Sequence, residues 1–66
     1  MQHTGVVESF DDAAGLGVVT GDDGQSWPFH CVSIADGSRF IETGARVSFG
    51  TRFHVARMEA VEIVRI

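Results

Sequence analysis

The sequence predicts an all-β domain, a small barrel of five antiparallel strands. Three observations favour this class. Glycine and aspartate clusters break the chain at short intervals, as in proteins built from hairpins. β-branched and aromatic residues fill the segments between the breaks, and helical periodicity is weak throughout. A chain of 66 residues can bury only one small core, so residues 1–66 are expected to form a single domain.

The turn residues divide the first half of the chain into three strands. The first strand is expected near His3–Phe10, and the turn of residues 11–15 leads to a second strand near Leu16–Thr20. Residues 21–24 read Gly-Asp-Asp-Gly, residue types that tolerate positive φ, and they predict a hairpin turn. The third strand is expected near Gln25–His30.

The second half begins with one helical turn near Cys31–Ile34 and a long loop over residues 36–44. Two further strands are expected near Arg46–Arg52 and Met58–Arg65, where β-branched residues and alternation favour strand over helix. Five short strands with a long connection after the third suit an OB-type barrel. An SH3-like barrel is the alternative, because the strand count alone does not exclude it.

Strand alternation defines an inner face. The predicted core consists of Val7, Val19, Phe29, Ile34, Val47, Phe49, Val61 and Ile63. Trp27 should point to the same side as Phe29, into the core or the barrel rim, although an exposed stacking platform is the alternative. Pro28 cannot donate a ladder hydrogen bond, so it marks a bulge or an edge position.

The charge and the cysteine content limit the classes of function and the cellular compartments that the sequence suggests. The formal net charge is −4, with five arginines and no lysine, whereas most small nucleic-acid-binding domains are basic. The single cysteine, Cys31, cannot form an internal disulfide, which favours an intracellular, cytoplasmic protein. No apolar run approaches the length of a membrane span, and the first residues lack the pattern of a signal peptide.

Catalytic and metal-binding patterns are weak. His30 and Cys31 are adjacent, and His3 and His54 lie elsewhere in the sequence. A zinc site needs three or four converging ligands, and side chains of neighbouring strand residues normally diverge. No orienting acid or oxyanion-binding nest is evident. We therefore expect no metal, no cofactor and no enzymatic activity.

Four stretches together resemble the bacterial cold-shock domain. Residues 5–19, G-V-V-E-S-F-D-D-A-A-G-L-G-V-V, resemble the family's G-T-V-K-W-F-N-x-x-K-G-F-G-F-I. Residues 26–34, S-W-P-F-H-C-V-S-I, resemble D-V-F-V-H-F-S-A-I, and residues 41–49 resemble L-x-E-G-x-x-V-x-F. Residues 59–63 fall on the family's closing Q-A-A-N-V, with no insertion or deletion after Gly5. The resemblance implies a cold-shock-like barrel that binds single-stranded nucleic acid.

The positions of the family's aromatic platform carry smaller residues here. They fall on Ser9, Leu16, Val18, Pro28 and Cys31. His30 is unchanged, while a lysine position carries Glu8. Because stacking contributes roughly 1–3 kcal/mol per base, losing about four stacking partners weakens binding at least about a thousandfold. The resemblance therefore implies weak, largely sequence-tolerant binding.

The outer sheet face that carries these positions suggests two alternative functions. The first is weak binding of single-stranded RNA or DNA, through Phe10, Leu16, Val18, Trp27, Pro28, His30, Arg39 and Phe40. The second is a protein-interaction module that reuses the same apolar face for a protein partner or a weak homodimer. Residues 52–57 are expected to form a cationic and aromatic hairpin tip, either solvated surface or a weak contact for phosphate or a partner. The lack of lysine, asparagine and tyrosine hints at a GC-rich bacterial source.

Overall fold

A computed structural model describes residues 2–54 and 57–66. It contains five strands, β1 (His3–Asp11), β2 (Leu16–Gly21), β3 (Ser26–His30), β4 (Arg46–His54) and β5 (Arg57–Arg65), with a 3-10 turn at Cys31–Ser33. The strands form one antiparallel sheet in the order β3-β2-β1-β4-β5. The predicted all-β class is confirmed, and every predicted strand boundary lies within two residues of the observed one. No helix in the described part of the chain has the length and apolar character needed to cross a membrane.

Strand β1 joins the two halves of the sheet because it pairs with β2 on one side and with β4 on the other. The β1–β2 register shifts between Val7 and Ser9, and such a bulge bends a strand and increases its twist. The far edges then meet after β3, where Ile34 forms a parallel bridge with Ile63 of β5. The Ala35 N–H also donates to the Ile63 carbonyl at 2.8 Å. The sheet therefore curls into a barrel.

The barrel interior holds seven of the eight predicted core residues, with Trp27, Ile41 and Ala60 in addition. The buried set is Val7, Val19, Trp27, Phe29, Ile34, Ile41, Val47, Phe49, Ala60 and Ile63. The prediction of Val61 as a core residue is wrong, because Val61 is only half-buried while Ala60 is fully buried. A register shift in the β4–β5 pair, between Ser48 and Gly50, moves the inward position by one residue.

Two glycines make room for the large inner aromatics. A Cβ atom at Gly17 would approach the Phe29 ring to 2.5 Å, and one at Gly21 would approach the Trp27 ring to 2.8 Å. Any side chain at either position would therefore displace a buried ring. Glycine is required at these two positions because a large aromatic ring occupies the space of a side chain, and not because a turn needs positive φ.

The long loop between the 3-10 turn and β4 is tied to the last strand by Arg65. The guanidinium Nη1 lies 2.8 Å from the Asp36 Oδ2, and Nη2 lies 3.2 Å from the Glu42 Oε1. Nη2 also donates to the Phe40 carbonyl oxygen at 3.1 Å. The loop inserts Ile41 into the core, where it is 1% exposed. Arg65 and Ile41 together fix the position of Phe40 at the surface.

Candidate nucleic-acid interface

The outer face of β1, β2 and β3 is organised in rows that run across the strands. Directly paired residues share a face of the sheet. One row consists of Asp11, Leu16 and His30, and the next consists of Ser9, Val18 and Pro28. Each row places an apolar residue on the central strand, and the expectation that Leu16, Val18, Pro28 and His30 share one face is confirmed.

The Pro28 position also resolves an alternative left open by the sequence. Pro28 pairs with Val18 in an uninterrupted β2–β3 register, and β3 is the first strand in the sheet order. Proline therefore occupies an edge strand, where the missing N–H costs no ladder hydrogen bond. The bulges lie instead in the β1–β2 and β4–β5 pairs.

These rows line an open groove of about 350 Å³. Its walls are formed by Ser9, Phe10, Asp11, Leu16, Gly17, Val18, Pro28, Phe29, His30 and Arg57. The groove collects the predicted residues Phe10, Leu16, Val18, Pro28 and His30 in one place. Its middle is apolar, with Leu16 46% exposed, while the charged and polar groups stand at its ends.

Phe10 contributes an edge to the groove rather than an open platform. It pairs with Gly17, which places it on the inner side of the sheet, and its ring stacks on Phe29 with centroids 5.9 Å apart. Phe40 meets Phe10 edge-on at 5.8 Å and is itself 48% exposed. The three rings form a continuous path from the core to the surface beside the groove.

The structure corrects the assignment of Trp27 to the binding face. Trp27 is 8% exposed on the inner side of β3, in edge contact with Phe49 at 5.4 Å and 5.1 Å from the His3 ring. Its ring lies against Gly21 on the inner face, whereas the neighbouring Pro28 lines the groove on the outer face. Arg39 is exposed in the loop with φ 60° and does not line the groove.

Arg57 is the functional candidate that the predicted site set omits. It lies at the start of β5 and lines the groove beside His30. The sequence treats Arg57 as one of several surface arginines, because its proximity to β3 arises only when the barrel closes. The sequence pattern predicts which segments form strands, but it does not predict that the start of β5 lies next to the end of β3.

The remaining arginines are distributed away from the groove. Arg46 contacts Asp22 at 2.8 Å, and Arg65 holds the loop. Among the residues that the structure describes, Arg39, Arg52 and Arg57 have no ion-pair partner. Only Arg57 of these three reaches the groove. Residues 55 and 56 of the predicted hairpin tip lie outside the described residues, while Phe53 beside them is 67% exposed.

Carboxylates border the groove and its surroundings. Glu8 Oε1 accepts a hydrogen bond of 2.5 Å from the Thr20 hydroxyl, and Asp11 Oδ1 accepts one of 3.2 Å from the Ala14 N–H. Further along the sheet, hydrogen bonds from Arg46 and then from Thr4 hold the pKa of Asp22 below its usual range. At the other end, His30 Nδ1 lies 3.5 Å from Oε1 of the buried Glu59. Acidic groups therefore oppose phosphate along β1, whereas the basic groups among the described residues that line the groove, His30 and Arg57, lie on β3 and β5.

His3, His30 and Cys31 do not converge, and the His54 side chain lies outside the described part of the structure. His3 stacks on Phe49 at 5.5 Å, far along the strands from His30. Cys31 lies beside Gly15, whose carbonyl accepts the Cys31 N–H at 2.8 Å, and it does not line the groove. Within the described ranges, no three histidine, cysteine, aspartate or glutamate side chains are grouped to hold a metal ion.

Comparison with known proteins supports the fold. No protein-family model and no curated protein sequence matches this chain. Among solved structures, the chain is similar to the Drosophila Unr fragment CSD456, a cold-shock domain structure, with a TM-score of 0.83 and 24% sequence identity. The match covers 100% of this chain and 27% of that chain, so this chain spans about a quarter of its length. The likeness shows that the fold is of the cold-shock type.

Proposed function

We propose that this chain binds single-stranded RNA or DNA weakly, in the groove formed by β1, β2, β3 and Arg57. The observation that carries the proposal is an open apolar groove with His30 and Arg57 at one end, on a cold-shock-type fold. Bases would lie against apolar side chains, and the backbone phosphates would approach the cationic end. The binding is expected to be largely sequence-tolerant, because an apolar wall offers contact to every base.

The groove explains why this binding should be weak. Leu16, Val18 and Pro28 provide apolar contact but no aromatic face, and each stacked base would contribute roughly 1–3 kcal/mol. Glu8 and Asp11 on β1 repel phosphate, and Arg57 is a single cation. We expect a Kd of about 10 μM or weaker at physiological salt, near the non-specific range.

A titration of fluorescently labelled heptanucleotides, read by anisotropy at low and moderate salt, tests this proposal. Replacing Arg57 with alanine should weaken binding roughly threefold to tenfold and lower the salt dependence by about one ion. The matched control is Arg52→Ala, which removes the same charge from the same hairpin but lines a different depression, with Val32 and Glu62. Nanomolar affinity, or equal losses in the two variants, would contradict the proposed site.

Contact with a second copy of the chain is the other candidate function, and the exposure of Leu16 favours it. Leu16 is 46% exposed beside half-buried Val18 and Pro28, and apolar patches of this kind mark contact surfaces. If the folded protein binds no heptanucleotide, sedimentation equilibrium of the parent and of Leu16→Lys distinguishes a dimer through this face from a monomer.

A further inference from the structure

We propose that the groove prefers bases that carry an exocyclic amino group, above all cytosine, over uracil and thymine. This inference rests on the proposed function and names the base chemistry that the same groove would take. It follows from the order of polar groups across one row of the sheet. The row begins with the carboxylate of Asp11, crosses the apolar Leu16 and ends at the imidazole of His30.

The dimensions of this row suit one flat base. Neighbouring strands lie about 4.8 Å apart, so the backbones of Asp11 and His30 are separated by two such spacings, about 10 Å. Leu16 stands between them and is 46% exposed. A pyrimidine ring laid on Leu16, with a hydrogen bond of about 2.9 Å on each side, fills a gap of this size.

The two ends of the row have opposite hydrogen-bonding character. An ionised carboxylate only accepts hydrogen bonds, whereas imidazole and guanidinium groups can donate them. Asp11 is exposed, and its Oδ1 accepts the Ala14 N–H. Within residues 2–54 and 57–66, no donor is bound to the Asp11 Oδ2, so this oxygen can accept from a ligand. At the other end of the groove, Arg57 supplies guanidinium donors, while Nδ1 of His30 already lies 3.5 Å from Oε1 of Glu59.

Cytosine matches this polarity, and uracil does not. The N4 amino group of cytosine donates, and carboxylates accept from it in known base recognition. The O2 atom, at the far end of the same Watson–Crick edge, accepts, which suits the guanidinium of Arg57. Uracil and thymine place the O4 acceptor where cytosine carries its amino group, so the Asp11 carboxylate would face another acceptor. Adenine also carries an amino group and is expected between cytosine and uracil.

The other carboxylate on β1 does not provide the same contact. Glu8 Oε1 already accepts the Thr20 hydroxyl at 2.5 Å, and Glu8 does not line the groove. Thr20 in turn lies 3.2 Å from the Ser26 hydroxyl, so these polar groups satisfy one another across the strands. Asp11 is therefore the position from which base selectivity should arise.

The test compares labelled heptadeoxycytidine with heptadeoxyuridine near pH 7, because the two strands share the same sugar–phosphate backbone and ring size. We expect the cytosine strand to bind about fivefold more tightly, a modest effect that suits an exposed hydrogen bond. In Asp11→Asn the preference should fall below about twofold, since an amide can donate to uracil as well as accept from cytosine. Affinity for the uracil strand should also rise, because a negative charge is lost.

Asp12→Asn is the matched control, since Asp12 is the adjacent exposed aspartate and does not line the groove. This variant should keep the cytosine preference. Equal binding of the two strands by the parent, or a preference for uracil, overturns the inference while Arg57-dependent binding leaves the proposed function standing. Loss of the preference in both aspartate variants also overturns it, by showing a bulk charge effect. Absence of binding to either strand overturns the proposed function itself.

Discussion

Glu62 adopts a left-handed backbone conformation, with φ 51°, inside β5. Such a conformation costs an L-residue with a side chain roughly 1–2 kcal/mol, and glycine adopts it freely. The strain accompanies the β4–β5 register shift that turns Ala60 and Ile63 into the core. Within the described residues, the exposed Glu62 side chain makes no hydrogen bond or ion pair that would offset this cost. A substitution that relieves the backbone strain at this position should therefore stabilise the fold.

Replacing Glu62 should reveal that strain. Glu62→Gly is expected to be more stable than Glu62→Ala by about 1 kcal/mol, because both variants lose the side chain and only glycine relieves the backbone. Urea unfolding measures the difference. At the exposed Val64 of the same strand, the order should reverse, with glycine less stable than alanine by roughly 0.5–1 kcal/mol. Equal stability of the two Glu62 variants would show that position 62 is not strained.

At the scale of single residues, the sequence predicts burial where alternation is regular and misjudges it where register changes. Val7, Val19 and Phe29 follow strict alternation and are buried as expected. The burial of Val61 is predicted wrongly because nothing in the sequence marks the bulge near Glu62. Ile41 is missed because its burial depends on how a loop folds back, which local pattern does not record.

At the scale of elements, the outer face of β1, β2 and β3 carries small and aliphatic side chains in adjacent rows. Ser9 and Val18 are directly paired, and Leu16 occupies the next row. All three point outward, toward the groove that they line. The arrangement could therefore accept aromatic side chains without changing the core.

Introducing aromatic side chains at these positions should raise the affinity for single-stranded nucleic acid. The triple variant Ser9→Trp, Leu16→Phe and Val18→Phe is expected to bind a heptathymidine strand at least about tenfold more tightly, since each stacked base contributes roughly 1–3 kcal/mol. Anisotropy titration measures the gain. Val64→Phe adds a ring at an exposed position outside the groove and should change little. A folded triple variant that binds no better than its parent would show that the face is not arranged for stacking.

The elements themselves were predictable because glycine and aspartate mark the turns. Residues 11–15 and 21–24 end one strand and start the next within a residue or two of the expected positions. The site was predictable only in part. Four outward residues of β2 and β3 follow from alternation, whereas Arg57 reaches the groove through closure of β5 against β3, a contact between segments distant in sequence.

At the scale of the whole molecule, exposed ion pairs attach the loop and a turn to the barrel. Hydrogen bonds from Arg65 lower the pKa of Glu42, and the Ser38 backbone and side chain, followed by Arg65, lower that of Asp36. A carboxyl group with a lowered folded-state pKa stabilises the fold above its unfolded pKa. That contribution is lost as the pH falls through the folded value.

Stability should therefore be level from pH 7 to about pH 5 and decline below about pH 4.5, where unfolded-state carboxylates begin to bind protons. Arg65→Gln should lower the thermal midpoint at pH 7 by a few degrees at most, because exposed pairs contribute little. The difference from the parent should shrink toward pH 2.5. Arg52→Gln, at an arginine without an ion pair among the described residues, should follow the parent throughout. Parallel curves for Arg65→Gln and parent would contradict this account.

The inward position of Trp27 has a practical consequence for spectroscopy. Trp27 is the only tryptophan of the chain, and it lies in the aromatic cluster with His3 and Phe49, away from the groove. Its emission therefore reports the integrity of the barrel and should shift to longer wavelength when the ring meets water on unfolding. Because the buried ring faces the barrel interior, intrinsic fluorescence reports folding more directly than ligand occupancy.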